Sequence, residues 1–143
     1  MTLLHQATGV AVDGRGVLIE GAPGIGKTSL ALALIDRGAV LIGDDGVAIA
    51  VAAEQAEVRL LASPPPATHG LIEVRNVGIL RQATVASVPI ALVIRLDRAA
   101  PRHVEQAEAC VIAGVSLPLI RLYPESPVLA LRAELALVRH GLS

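Results

Sequence analysis

A mixed α/β domain, richer in hairpins than a doubly wound sheet, is predicted by three features of this 143-residue chain. A glycine-rich loop at 21–28 separates an apolar strand from an alanine- and leucine-rich helix. Short apolar runs recur around turn dipeptides, beginning with Asp13-Gly14, a strong hairpin signal. Prolines and glycines punctuate the remainder, with no internal repeat and no low-complexity tract.

Taken in order, residues 9–12 and 16–20 read as the arms of the first hairpin. Residues 27–37 read as a helix: Leu30, Leu34 and Ile35 fall at helical spacing, and Gly38 supplies the stop. Residues 40–42 are expected as a neighbouring strand in a βαβ arrangement. Residues 47–53 and 58–61 read as strands around a polar turn. Ser63-Pro64-Pro65-Pro66 is a loop, because consecutive prolines cannot supply ladder donors. Residues 71–80 fit either a strand or an irregular segment. Residues 88–96 read as a buried strand despite Pro89, 101–109 as a short helix and 117–122 as a last strand. Ser126-Pro127 then supplies an N-cap and first-turn proline for a helix running to His140, with Gly141 as its stop.

Composition narrows the function classes. The length fits one domain over 1–143. Hydrophobic residues make up 53%, yet Phe and Trp are absent and Tyr123 is the sole aromatic. The core must therefore be Ala, Val, Leu and Ile. Uncharged runs such as 82–94 fall short of the roughly 18 residues that suggest a membrane span. The start lacks the basic and apolar regions of a signal peptide, and Cys110, the one cysteine, has no internal disulfide partner. These features point to the cytosol, with Cys110 an inert buried thiol. A formal charge of −1, without aromatics to stack bases, argues against nucleic-acid binding.

Gly21-Ala22-Pro23-Gly24-Ile25-Gly26-Lys27-Thr28 fits the phosphate-loop pattern G-x-x-x-x-G-K-[ST], and Lys27 is the only lysine in the chain. Gly21, Gly24 and Gly26 permit unusual backbone angles and close approach. Successive N–H groups of the loop, through Ser29, would cradle phosphates. Lys27 can reach the β/γ-phosphates, Thr28 can offer its hydroxyl to Mg²⁺, and the helix N-terminus adds to the attraction. A nucleotide triphosphate such as ATP, with Mg²⁺, is the expected ligand.

Asp44-Asp45 follows the strand expected at 40–42, whose C-terminal end lies beside the phosphate loop in a βαβ unit. Carboxylates there can hold Mg²⁺ or its waters, or accept a proton from an attacking hydroxyl. Glu73 lies in a mostly apolar stretch, where a carboxylate needs a metal or an arginine as partner. His5 precedes the first hairpin. Arg95, Arg98 and Arg102 cluster after a strand, where they could bind phosphate or cover a surface. His69, His103 and His140 have no metal-ligand spacing and read as surface residues.

The order of these blocks is itself informative. His5 before a hairpin, Gly-Arg-Gly-Val-Leu-Ile, the phosphate loop, Arg37-Gly38-Ala39-Val40-Leu41-Ile42-Gly43-Asp44-Asp45 and Leu71-Ile72-Glu73-Val74-Arg75-Asn76-Val77-Gly78-Ile79 occur in sequence. Together they resemble the catalytic domain of HPr kinase/phosphorylase, the bifunctional bacterial enzyme that phosphorylates a serine of the phosphocarrier HPr. The resemblance covers roughly residues 5–122. It implies an HPr kinase/PEP carboxykinase-like catalytic fold, ATP and Mg²⁺ as cofactors, an HPr-type phosphocarrier as partner and a homo-oligomer, usually a hexamer.

The same resemblance implies roles. Lys27 would contact the transferred phosphoryl group, with Thr28 in place of the family's usual Ser as Mg²⁺ ligand. Asp45 would accept the proton in phosphorylation and return it in the reverse reaction. Glu73 matches the second metal-binding acid, His5 the active-site histidine, and Arg102 the later catalytic arginine. The loop reads Gly-Ala-Pro-Gly where the family often has Gly-Asp-Ser-Gly. The chain resembles the short α-proteobacterial form, with no N-terminal regulatory domain expected. A small-molecule kinase and a nucleotide-binding regulatory module are the competing readings. A GTPase is disfavoured because its Asn-Lys-x-Asp motif needs a second lysine.

Overall fold

The computed structural model of the protein describes residues 2–143. Eleven strands and two helices follow in the order β1 (Thr2–His5), β2 (Thr8–Val12), β3 (Arg15–Glu20), α1 (Lys27–Asp36), β4 (Val40–Gly43), β5 (Val47–Glu54), β6 (Glu57–Ser63), β7 (Leu71–Val74), β8 (Gly78–Arg81), β9 (Val88–Leu96), β10 (Glu108–Ile112), β11 (Val115–Leu122) and α2 (Leu129–His140). A single 3₁₀ turn, Pro66–Thr68, ends the proline-rich loop. The main sheet runs β1-β5-β6-β9-β3-β2-β4, with β11 and then β10 branching from β9, while β7 and β8 form a separate hairpin. β9 is the hub, parallel to β3 and β11 and antiparallel to β6. Among the described residues, no helix is long and apolar enough to cross a membrane.

Strand alternation divides the core into two layers. Val17 and Ile19 of β3, with Leu92 and Ile94 of β9, face Leu30 and Leu34 of α1 and Ala133 and Leu137 of α2. Leu18 and Val93 point the other way, toward Ile49, Leu60, Leu117 and Leu119. With no Phe or Trp to fill space, branched aliphatics buried to 0% exposure on both faces carry the central strands.

Several expectations change. The strand after α1 is not the neighbour of β3: β2 lies between them, antiparallel to both. β3 and β4 therefore run parallel across a one-strand gap, which still brings their C-terminal ends to one edge. The helix expected over 101–109 does not form. Residues 108–112 pair with β11 through a turn at Ala113 (φ 49°) and Gly114 (φ 78°), both left-handed. The ladder with β11 satisfies the backbone that a helix would otherwise have served. β1 went unforeseen because it is a four-residue edge strand on β5 with no buried side chain. The ambiguous 71–80 segment resolves into β7 and β8 around Asn76 (φ 69°). α2 begins at Leu129 rather than at Pro127, and Ser126 Oγ accepts the Val128 N–H at 3.2 Å just ahead of it.

Candidate active site

An open cleft of about 1400 Å³ lies at the edge where β3, β4 and β9 end. Its floor is the loop 21–26, built around left-handed glycines at Gly24 (φ 76°) and Gly26 (φ 118°). No heavy atom lies within 4 Å of where a Cβ would be at either position. The requirement for glycine there is conformational, and the loop stays open toward the cleft. Gly26 ends the loop and starts α1, accepting the Leu30 N–H at 3.0 Å. The first turn of α1 contains no acidic residue of its own, and the positive end of the helix faces the cleft.

Lys27 Nζ donates to the carbonyls of Gly21 (2.8 Å) and Ala22 (3.1 Å), folding the lysine over the loop. Thr28 Oγ1 donates to Asp44 Oδ1 at 2.9 Å. The same oxygen accepts the hydroxyl of Thr8 at 3.3 Å, and Asp44 Oδ2 accepts the Glu73 N–H at 3.1 Å. Asp44 thus ties α1, β2 and β7 together. Asp45 adopts a left-handed conformation (φ 60°) that aspartate tolerates, and its N–H donates to Thr8 Oγ1 at 3.3 Å. That turn leaves the Asp45 carboxylate exposed on the cleft wall.

Glu73 also lines the cleft, but its side chain is exposed, so the partner expected for a buried carboxylate is not required. His5 lies beside the loop's entry strand, its Nε2 3.0 Å from Glu20 Oε2. The three clustered arginines separate. Arg95 lines the cleft and donates to Glu20 Oε1 at 2.8 Å, Arg98 pairs with Glu125, and Arg102 is exposed on the loop after β9, away from the cleft lining. Cys110 is half-buried, and burial, with the nearby Glu20 charge, pushes its thiol up. His69 bonds Thr84 Oγ1 at 2.8 Å outside the cleft.

Two participants escaped sequence reasoning. Thr8 is the one buried polar residue among those described. Its only signal was a hydroxyl in an apolar strand. Glu20 is the last residue of β3, a charged group directly before Gly21. Burial raises its carboxyl, but the hydrogen bonds and charges of Arg95 and His5 outweigh that and hold it below its ordinary value.

The donor set fits a magnesium-bound polyphosphate. Thr28, Asp44 and Glu73 offer hard oxygens, as Mg²⁺ prefers. Among the described residues no three His, Cys, Asp or Glu side chains form a metal cage. Mg²⁺ held by one or two carboxylates and completed by substrate phosphates needs no such cage.

Comparison with known proteins agrees with this architecture. Residues 2–120 match the HPr Serine kinase C-terminal domain family. The chain is 37% identical over 128 residues to an HPr kinase/phosphorylase of Enterococcus faecalis, covering 80% of this chain and 40% of that protein. It is 47% identical over 81 residues to the Clostridium tetani HPr kinase/phosphorylase, covering 55% of this chain and 24% of that protein. It therefore spans less than half the length of the curated relatives it matches. A solved structure described as the Hpr(Ser) kinase/phosphatase from Coxiella burnetii superposes with a TM-score of 0.76 at 30% identity, covering 96% of this chain and 88% of that one. With the family match extending over most of its length, the chain belongs to the HPr serine kinase C-terminal domain family.

Proposed function

We propose that this chain is the phosphotransfer unit of a cytoplasmic protein serine kinase that phosphorylates an HPr-type phosphocarrier. The observation that carries the reading is the Thr28–Asp44 bond, which joins the glycine loop to the acidic pair in one open cleft. Mg²⁺-ATP, when bound, supplies the phosphoryl group and neutralises part of its charge. Thr28, Asp44 and Glu73 would hold the Mg²⁺, and Lys27 would leave the Gly21 and Ala22 carbonyls to contact the β/γ-phosphates. Asp45, exposed and adjacent, accepts the proton of the incoming seryl hydroxyl. Because phosphoryl transfer passes through a loose transition state, positioning and electrostatics supply most of the rate. In the reverse direction an oxygen of inorganic phosphate attacks the phosphoserine phosphorus. The bond from phosphorus to the serine oxygen breaks as protonated Asp45 returns its proton to that oxygen, and pyrophosphate is the product.

His5, oriented by Glu20, serves as the active-site histidine. Arg102 is the arginine that closes on the phosphates; its loop starts at Asp97, which lines the cleft, and this supports the role. A protein substrate is favoured over a metabolite by the open cleft and by its hairpin rim, where Val77 and Ile79 are 67% and 68% exposed. The protein acts as a homo-oligomer in this reading.

The test is the intact mass of a purified HPr-type phosphocarrier after incubation with this protein and Mg²⁺-ATP, beside Asp45→Asn. One phosphate gained on serine, and a rate lower by about 10²-fold or more in the variant, is expected of a lost general base. No gain despite tight ATP binding would transfer the weight to a metabolite kinase or a nucleotide-binding regulatory module.

A further inference from the structure

Glu20 stands at the mouth of the loop with hydrogen bonds to two side chains, His5 and Arg95. It is the in-register partner of Arg95 across the parallel β3–β9 ladder, so the ion pair is set by strand order. Its second oxygen faces His5, which the β1–β5 ladder delivers opposite Val47. One carboxylate therefore fixes side chains from two other strands, immediately before Gly21.

Arg95 differs from its neighbours in what remains free. Arg37, Arg98 and Arg121 are engaged with Glu134, with Glu125, and with Asp97 and Glu108, and none of the three lines the cleft. Arg95 lines it, and among the described residues its side chain makes one hydrogen bond, to Glu20. A guanidinium has five N–H donors, so most remain available to an anion. The other cations on the cleft wall among the described residues are Lys27, bonded to backbone carbonyls, and Arg75, exposed on the hairpin. On the His5 side, an ionised carboxylate only accepts. Neutral His5 must then carry its hydrogen on Nε2, leaving Nδ1 with the lone pair.

We propose that Glu20 is a positioning residue of the phosphate end of the cleft, holding Arg95 as the second polyphosphate-binding cation and fixing His5 in its Nε2–H tautomer. The Arg95 half deepens the kinase reading and rests on it for the identity of the anion. The His5 half is a property of the chain alone.

Two measurements on the full chain test this. Calorimetric titration with Mg²⁺-ATP compares the native protein with Glu20→Ala, Arg95→Ala and the double variant. Each single change should weaken binding about tenfold, the scale of one charge-assisted hydrogen bond. The double variant should lose no more than Arg95→Ala, because Glu20 acts through Arg95. Glu20→Gln should retain affinity within about threefold, since its amide oxygen still accepts from Arg95. Ring ¹⁵N shifts, recorded without nucleotide and assigned with His5→Gln, should show Nε2–H in the native chain. In Glu20→Gln the side-chain amide would donate to Nε2 and move the hydrogen to Nδ1. Native affinity in Arg95→Ala, losses that add in the double variant, or an unchanged tautomer in Glu20→Gln would each overturn the proposal. A native chain that binds no Mg²⁺-ATP defeats the kinase reading and the Arg95 role, while the tautomer still decides the His5 role.

Discussion

Thr28 and Asp44, sixteen residues apart, are joined by a 2.9 Å hydrogen bond across the first turn of α1 and the end of β4. The bond exists because α1 crosses over β2 and returns the chain one strand beyond it, so that β3 and β4 end on the same edge. Asp44 serves there as an anchor for three elements, and Asp45 is left free beside it.

Removing that anchor should be felt at a distance. Asp44→Ala strips partners from Thr28, from buried Thr8 and from the Glu73 amide together. A stability loss of about 1–3 kcal/mol in chemical denaturation is expected from the buried donor left unsatisfied. Amide exchange at Glu73 should accelerate as β7 is released. Unchanged protection of that amide would show that the hairpin is held by other contacts.

Lys27 is expected to serve ligand binding rather than the fold. It is half-buried, and its two hydrogen bonds go to loop carbonyls that water can also serve. Lys27→Ala should therefore leave the thermal midpoint within a few degrees, while Mg²⁺-ATP affinity falls at least about tenfold, as expected for a lost bond to a charged group. Titration and melting of the same sample separate the two effects.

Acid should weaken the fold partly through Glu20. Its folded carboxyl is held below the ordinary value by Arg95 and His5 against the opposing effect of burial. The unfolded chain, with a glutamate near about 4.3, takes up the proton first. The stabilisation is thus fully present above about pH 4.3 and is lost as pH falls through the lower folded value. Denaturation of the native chain and Glu20→Gln at stepped pH should show a stability gap that closes in that acid range. A gap independent of pH would mean that the carboxylate's charge contributes nothing.

The β7–β8 hairpin is expected to meet the partner protein. It carries Val77, Ile79 and Leu80 exposed beside the cleft, and among the described residues the Arg81 side chain at its end bonds the His69 carbonyl alone. Arg81→Glu should raise the KM for the phosphocarrier several-fold, with Mg²⁺-ATP affinity unchanged. An unaltered KM would move the docking surface elsewhere, for instance to α2.

By itself the sequence determined the features that are local. The spacing of Gly21, Gly24, Gly26, Lys27 and Thr28 specifies the loop, because those backbone angles and that helix start admit few other residues. Asp13-Gly14 specified its hairpin in the same way, and the apolar run at 88–96 specified the central strand. Only the tertiary structure decided what depends on strand order: that β2 wedges between β3 and β4, that 108–112 pairs with β11 instead of joining a helix, and that Glu20 faces Arg95, seventy-five residues away. Turns and caps depend on near neighbours, so residue type reveals them. Which strand lies beside which is settled by the burial of both faces of the sheet at once, and no local spacing along the chain records it.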